Sequence, residues 1–440
     1  MKKFLSLVLA LVMTMSLVTV SAGAKDFTDS TKIQYTEAVD VMSAVKVIDG
    51  YAEGDFRPST TLTRGAAAKI ICNLILGPTT ASALVADAAP YKDVPTNHTF
   101  AGYIAYCQKE GIISGYADGT FRPANSLTGY AFMKMLLGAL GYDSAKEGYT
   151  GPNWSIQVAK RALNIGLADD LNGDFNGVKA VNREEACLYA LNTLTADMVE
   201  YDAKTTVSTN GTTVVIAGSK AKEMVNNGNT DGKIFSKDGV MQFAEKYFDN
   251  LTVKKGSDDF SRPANVWKLK AEEIGTYTNT ADATYTKKVE NGDIYKDLGL
   301  GSKIAAKDVS VYVDGAKQTN TVAIEKGEED KVGKSGNGVL TEVFYDDDAD
   351  TVTITEVNTY VGEISKTVKA TSKKDAYVVV IPEGVKPTSM KNSEEFETTA
   401  SFDDDAYVLY TYSEDAKEIK SVEVAKSCLL YTSDAADDRI

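Results

Sequence analysis

The chain has 440 residues, 43% of them hydrophobic and 25% charged, with a formal net charge of −15. A hydrophobic fraction near the globular average excludes wholesale disorder, and the length calls for about two to four domains. The acidic balance argues against nucleic acid or an anionic membrane as the main partner. A lone histidine, His98, excludes His-rich metal sites. Cys72, Cys107, Cys187 and Cys428 are too scattered for a disulfide scaffold and offer no C-x-x-C pair for zinc.

Residues 1–24 read as a secretory signal. Lys2 and Lys3 make the charged start, an apolar run extends from Phe4 to about Val20, and Ala22-Gly23-Ala24 is a small-residue cleavage site. The competing reading is an uncleaved membrane anchor. No basic stop-transfer cluster follows the apolar run, which favours cleavage and a mature protein without a membrane span.

A threefold repeat occupies the next stretch. Gly50-Tyr51-Ala-Glu-Gly54-Asp-Phe56-Arg-Pro58 and Gly115-Tyr116-Ala-Asp-Gly119-Thr-Phe121-Arg-Pro123 share their spacing, and Leu62-Thr63 and Leu127-Thr128 follow at one offset. A weaker third copy has Gly173-Asp-Phe175 and then Val181-Asn182. Thr63, Thr128 and Asn182 suit helix N-caps, and Asn182 with Glu185 resembles a capping box. Apolar residues three and four apart predict a helix on each side of every loop. The series are Ala38, Val41, Met42, Val45 and Ile48, then Ala67, Ile70, Ile71 and Leu74. Copy two gives Ile104, Cys107 and Ile112, then Phe132, Met135 and Leu136. Copy three gives Val158, Ala159, Ala162 and Leu163, then Ala186, Tyr189, Ala190 and Leu194. One helix–loop–helix unit is too small to bury its apolar face, so three are expected to pack about a common axis. Their bounds are set at 25–85, 86–145 and 146–200.

With the openers Phe27-x-Asp29 and Tyr91-x-Asp93, these segments resemble the S-layer homology modules of bacterial surface proteins. The resemblance implies an all-α pseudo-threefold spindle that binds secondary cell-wall polysaccharide between modules, often through a pyruvylated, anionic sugar. It implies Arg64 and Arg183, at the helix starts, as main ligand contacts. Physics agrees in part. An arginine at the first helical position faces free N–H groups and the positive end of the helix dipole, which is unfavourable without a nearby anion. Its planar fork suits a carboxylate. The competing reading pairs each arginine with an acid of a neighbouring module. Tyr51 and Tyr116 offer flat surfaces to a sugar. Gly54 and Gly119 allow close approach of a ligand or build the turn, and Phe56 and Phe121 either touch ligand or fill the core. Asp29 and Asp93 either contact ligand or cap the helices that follow them. Copy two has Gly129-Tyr130 where an arginine is expected, copy one lacks the acidic member after Arg64, and copy three has Asp169-Asp170 in place of Gly-Tyr. One or two competent grooves are therefore expected.

From residue 201 to 427 the texture changes to strands. Asn210-Gly211 and Asp314-Gly315 mark hairpins, and Asp314-Gly315 follows Val309–Val313. Val339–Tyr345 and Thr351–Thr355 flank the acidic turn Asp346–Asp350, and Tyr377–Ile381 and Ala406–Thr411 are further strands. One amphipathic helix is expected over Val240–Leu251. The fold class is thus multidomain α + β, the helical spindle followed by one or two antiparallel sandwich-like or barrel-like domains. Gly333-Lys334-Ser335 lacks the first glycine of a phosphate loop, having Glu328 there, and Asp170–Asp174 lacks the glycine and the final glutamate of a calcium loop. Asp346–Asp350 and Asp403–Asp405 allow weak surface calcium but read first as solvated turns. No cofactor is expected.

Cys428-Leu-Leu-Tyr-Thr-Ser-Asp-Ala-Ala-Asp-Asp438 reads as a translated sequencing adapter, so residues 428–440 are expected to lie outside the fold; a natural polar tail is the alternative. The sequence thus points to a secreted protein of the cell wall or surface layer, not an enzyme, held non-covalently to wall polysaccharide and open to self-association in a layer. The alternative is a wall-anchored polysaccharide or peptidoglycan hydrolase working through paired carboxylates.

Overall fold

A computed structural model describes residues 27–425, apart from 203–204, 210–211, 217–219, 337 and 373; within 203–219 only the backbone is described. The signal segment, the turn at 210–211 and the tail 428–440 lie outside the described residues. The chain divides into two compact units, one formed by 21–254 with 266–275, the other by 255–265 with 276–440.

The first unit holds the helices α1 (Thr36–Ala44), α2 (Arg64–Ser82), α3 (Ala101–Lys109), α4 (Gly129–Ala139), α5 (Trp154–Asn164) and α6 (Arg183–Thr195). They fall in the predicted pairs around the three loops. The predicted caps form: the Thr63 and Thr128 hydroxyls accept the N–H of Ala66 and Ala131, and Asn182 and Glu185 close a reciprocal capping box. Helix α2 is broken at Gly77-Pro78, where Gly77 leaves helical geometry. Each module's second helix packs on the first helix of another module: α2 on α3, α4 on α5, and α6 back on α1. The apolar stripes meet here, and Val41, Met42, Ile71, Leu74, Ile104, Phe132, Leu136, Val158, Ala162, Ala190 and Leu194 are all buried.

The backbone closes the ring. Leu62 N–H donates to the Val181 carbonyl (2.8 Å), Val181 to Leu127 (3.0 Å), and Leu127 back to Leu62 (2.9 Å). These three residues are buried and sit at the shared offset before each helix cap, so the cycle marks the pseudo-threefold axis.

The first unit runs on past residue 200. Val199–Tyr201 pairs with Ala221–Glu223, and Thr205–Thr209 pairs antiparallel with Thr212–Ile216. The helix expected over Val240–Leu251 shrinks to α7 (Phe243–Tyr247), because Leu251 already starts the strand Leu251–Ser257. That strand, Pro263–Leu269 and Glu272–Thr278 form a three-stranded sheet. Trp267, within the first unit, is buried and donates to the Glu37 carboxylate at 2.6 Å.

In the second unit nine strands form one sheet: β1 (Ala283–Tyr285), β2 (Val309–Val313), β3 (Ala316–Lys317), β4 (Val339–Asp346), β5 (Thr351–Val368), β6 (Tyr377–Glu383), β7 (Glu394–Glu397), β8 (Tyr407–Ser413) and β9 (Glu418–Val424). The predicted Asp314-Gly315 turn joins β2 to β3. Strand β5 is 18 residues long and serves two cores. Its first half pairs with β2 and β4 over Val309, Val343, Val352 and Ile354. Its second half pairs with β6 and β8 over Ile364, Val380, Tyr410 and Ile419. Here β7 curls round beside β9, a barrel-like closure. The expected all-antiparallel arrangement needs one correction: β2 and β5 run parallel. A short helix, α8 (Asn291–Asp297), went unforeseen because it buries only Asn291 and Ile294, too few for a helical period to register.

Candidate functional site

Each repeated loop is clasped from below by its module's opener. The Asp29 carboxylate accepts the N–H groups of Phe56 (2.7 Å) and Arg57 (2.8 Å). Asp93 does the same for Phe121 (2.7 Å) and Arg122 (2.7 Å). The Asp29 side chain makes no cap bond to the turn that follows it, and the carboxylates are engaged by the loops. Burial works to raise both carboxyls, but the paired N–H groups outweigh it and hold them below the usual carboxylate range. A carboxyl lowered on folding stabilises above its unfolded value and loses that contribution as pH falls through the folded value. Asp93→Ala is therefore expected to lower the unfolding midpoint near neutral pH by a few degrees, for a loss of about 1 kcal/mol, and to make little difference well below about pH 4. Thermal scans at both pH values check this.

Gly54 and Gly119 sit at φ +89° and +80°, within the tight turns that Tyr51 and Tyr116 begin. Gly50 and Gly115 leave room for the opener rings: a Cβ there would lie 2.4 Å from Phe27 and 2.3 Å from Tyr91. Phe56 and Phe121 are fully buried under the turns. The glycines and phenylalanines thus build the loop.

The arginines at the helix starts reach across modules. Arg64 Nε donates to the Phe121 carbonyl (2.8 Å) and Nη2 to that of Ser114 (3.2 Å), so helix α2 of module one grips the loop of module two. Arg183 Nε donates to Phe56 O (2.9 Å) and Nη2 to Asp49 O (2.7 Å), so module three grips the loop of module one. Among the described residues neither makes an ion pair, which removes the alternative of pairing with a neighbouring acid. Carbonyl oxygens orient the guanidinium without cancelling its charge. Burial pushes the Arg64 guanidinium down from its ordinary value, the sign of a charge short of compensation. The tyrosines are flanked by arginine on two sides: Tyr51 by Arg57 (4.1 Å) and Arg183 (4.7 Å), Tyr116 by Arg122 (4.1 Å) and Arg64 (5.1 Å). Both rings thus help to position the arginines, while Tyr116 stays 41% exposed.

Two of the three departures from the repeat fall at one junction. By the same rotation module two should grip loop three, and its backbone does: Gly129 N–H reaches Lys179 O (3.0 Å) and Tyr130 N–H reaches Gly177 O (2.9 Å). The missing arginine and the degenerate loop are partners. Tyr130 fills the space, 5.9 Å from Phe175 between ring centroids, and a Cβ on Gly177 would lie 2.1 Å from it. Two junctions therefore keep the full arginine–loop arrangement.

The junction at loop two opens into a cavity of about 440 Å³ lined by Arg64, Tyr116, Thr128, Lys134, Tyr149 and Trp154, among others. Lys134 was not singled out from the sequence, where nothing local distinguishes it. Its ammonium lies 5.6 Å from the Trp154 ring centre, has no ion pair among the described residues, and is pushed down in pKa by burial. Its repeat counterpart near loop one, Lys69, is exposed. Two cations without an ion pair among the described residues thus face an aromatic-walled cavity, an arrangement whose chemistry suits an anion. Lys134→Met is expected to leave stability unchanged or raise it by well under 1 kcal/mol, since solvent screens the half-exposed charge, while weakening anion binding several-fold. Thermal denaturation and binding measured side by side check the pair of effects.

Residues 26–68 and 90–129 match the model of the S-layer homology domain. These segments are S-layer homology domains. The chain is 24% identical over 363 residues to a surface layer protein of Brevibacillus choshinensis, covering 72% of this chain and 31% of that protein. It is 25% identical over 351 residues to an S-layer protein of Bacillus licheniformis, 73% of this chain and 39% of that one. A cellulosome-anchoring protein of Acetivibrio thermocellus is 37% identical over 81 residues, 18% of each chain. The chain spans well under half the length of these curated relatives. The family-model match covers modules one and two; the third segment shares their offset before the helix cap and, through Arg183, the arginine–loop contact.

The second unit offers carboxylates but holds them. Asp314 is buried and accepts from Asn358 and Tyr360, and Glu356 pairs with Lys334 at 2.8 Å. Lys334 belongs to the Gly333-Lys-Ser segment, which is thus an ion-paired loop in this unit. Asp346, Asp347 and Asp348 bring one carboxylate oxygen each within 4.8 Å, in the exposed β4–β5 turn where Lys255 already pairs with Asp346. His98 lies ahead of α3, its Nδ1 accepting the N–H of Phe100.

Proposed function

We propose that the S-layer homology modules anchor a secreted surface protein non-covalently to the cell wall. They do so by taking an anionic wall polysaccharide into the grooves at loops one and two, with Arg183 and Arg64 as the main contacts. The observation that carries this reading is a repeated one: an arginine fixed by a neighbouring module's carbonyls and without an ion pair among the described residues, in a chain of net charge −15. A carboxylate-bearing sugar, such as a pyruvylated one, supplies the missing charge and a bidentate partner. The names of the S-layer and cellulosome-anchoring relatives support the wall as the destination. The strand-rich unit is read as the carried, non-catalytic part, exposed at the surface and suited to self-association in a layer. The occupied state of its buried carboxylates supports that over a hydrolase.

Sedimentation of the full chain with purified cell walls tests this. Binding is expected to intact walls and to be lost once the secondary polysaccharide is extracted. Undiminished binding to the stripped walls would overturn the reading.

A further inference from the structure

Cys72 on α2 and Cys107 on α3 come from adjacent modules and meet in the core, with their sulfurs 3.6 Å apart and both residues fully buried. The repeat makes the meeting unusual. Cys72 lies eight residues after Arg64, and the matching place after Arg183 is Leu191. Cys107 lies eight residues before Gly115, and the matching place before Gly50 is Met42. Where the α6–α1 junction has two large apolar residues, the α2–α3 junction has two thiols facing each other. Backbone carbonyls hold the thiols in place: Cys72 Sγ contacts Tyr103 O at 3.5 Å and Cys107 Sγ contacts Ala68 O at 3.7 Å.

We propose that Cys72 and Cys107 form a redox-active pair that closes into a disulfide under oxidising conditions and cross-links modules one and two through α2 and α3. The oxidant is a small-molecule disulfide. One Cys thiolate attacks a sulfur of the reagent and expels a first reagent thiolate. The second Cys thiolate attacks the mixed disulfide and expels the other. Two cysteine S–H bonds and the reagent's S–S bond are broken; the Cys72–Cys107 bond forms and two reagent thiols leave with the protons. The hydrogen bond to Cys72, and then burial, keep the Cys107 thiol protonated, so exchange proceeds through local opening of the helix pair and is slow in the folded protein. Once closed, the bond spans 35 residues, from position 72 to 107, and restricts the unfolded chain.

The test is to refold the full chain in a buffer of oxidised and reduced glutathione, then alkylate and map its peptides. A Cys72–Cys107 cross-linked peptide, a mass loss of about 2 Da and an unfolding midpoint several degrees above that of the reduced protein are expected. Cys187→Ser should leave all three unchanged, and Cys72→Ser should abolish them. Recovery of Cys72 and Cys107 as separately alkylated residues, or a cross-link that takes in Cys187 or Cys428 instead, overturns the proposal. The comparison of oxidised with reduced wild type needs no variant to fold.

Discussion

The double variant Arg64→Ala/Arg183→Ala is expected to lose measurable wall binding, while each single variant keeps a weakened form of it. A guanidinium–carboxylate contact contributes about 1.5–3 kcal/mol, or roughly 10- to 100-fold per groove. With two grooves on one polymer, removing either also forfeits simultaneous engagement, so the single losses should sit at the upper end. Both arginines also tie modules together through two carbonyls each, so some stability falls with them. Two controls separate the effects. Arg122→Ala removes a guanidinium already paired with Asp118 and should bind nearly as wild type. Raising salt should weaken wild-type binding without shifting its unfolding midpoint in parallel. Normal binding by a folded double variant would sink the site assignment.

In the second unit, Arg262→Ala is expected to cost about 3–5 kcal/mol, enough to unfold much of that unit. Arg262 is 1% exposed. Its Nε donates to Asp258 at 2.6 Å and its Nη1 approaches Glu342 at 3.4 Å. Burial pushes the Glu342 carboxyl up, against the pull of Arg262, so removing the cation strands two carboxylates in the interior. Arg262→Met should cost less than this only if the acids are neutralised with it. The triple variant Arg262→Met/Asp258→Asn/Glu342→Gln should therefore recover part of the loss, as read by denaturant unfolding. A single alanine variant as stable as wild type would show the cluster to be solvated.

The repeated half was legible because repetition supplies its own control. A glycine, an apolar residue and a capping residue recurring at one offset gave helices, caps and the common axis. What sequence left open was pairing. Arg64 and Phe121 are 57 positions apart and in different copies, and nothing local says that module one serves loop two. For the same reason the two defects, Gly129 and the Asp169–Gly177 loop, read as faults in two copies when they are the two sides of one junction. Lys134 stayed hidden because its isolation from acids is a property of the assembled cavity. In the strand half, turns such as Asp314-Gly315 announced themselves, whereas the parallel β2–β5 pair is a long-range choice that alternation does not encode.

The cycle of hydrogen bonds through Leu62, Val181 and Leu127 fixes the copy number. In an open stack of repeats each end exposes a face and needs a cap, and another repeat can always be added. Here every module is both donor and acceptor, so there is no end to cap and no place for a fourth. A module cut from the ring leaves an unpaired N–H on one neighbour and an unpaired carbonyl on another, both at the buried axis. The sequence of a copy can therefore vary, as it does in the third loop, but not the number of copies. Truncation to two modules should give a chain that does not fold, rather than an anchor two-thirds as strong.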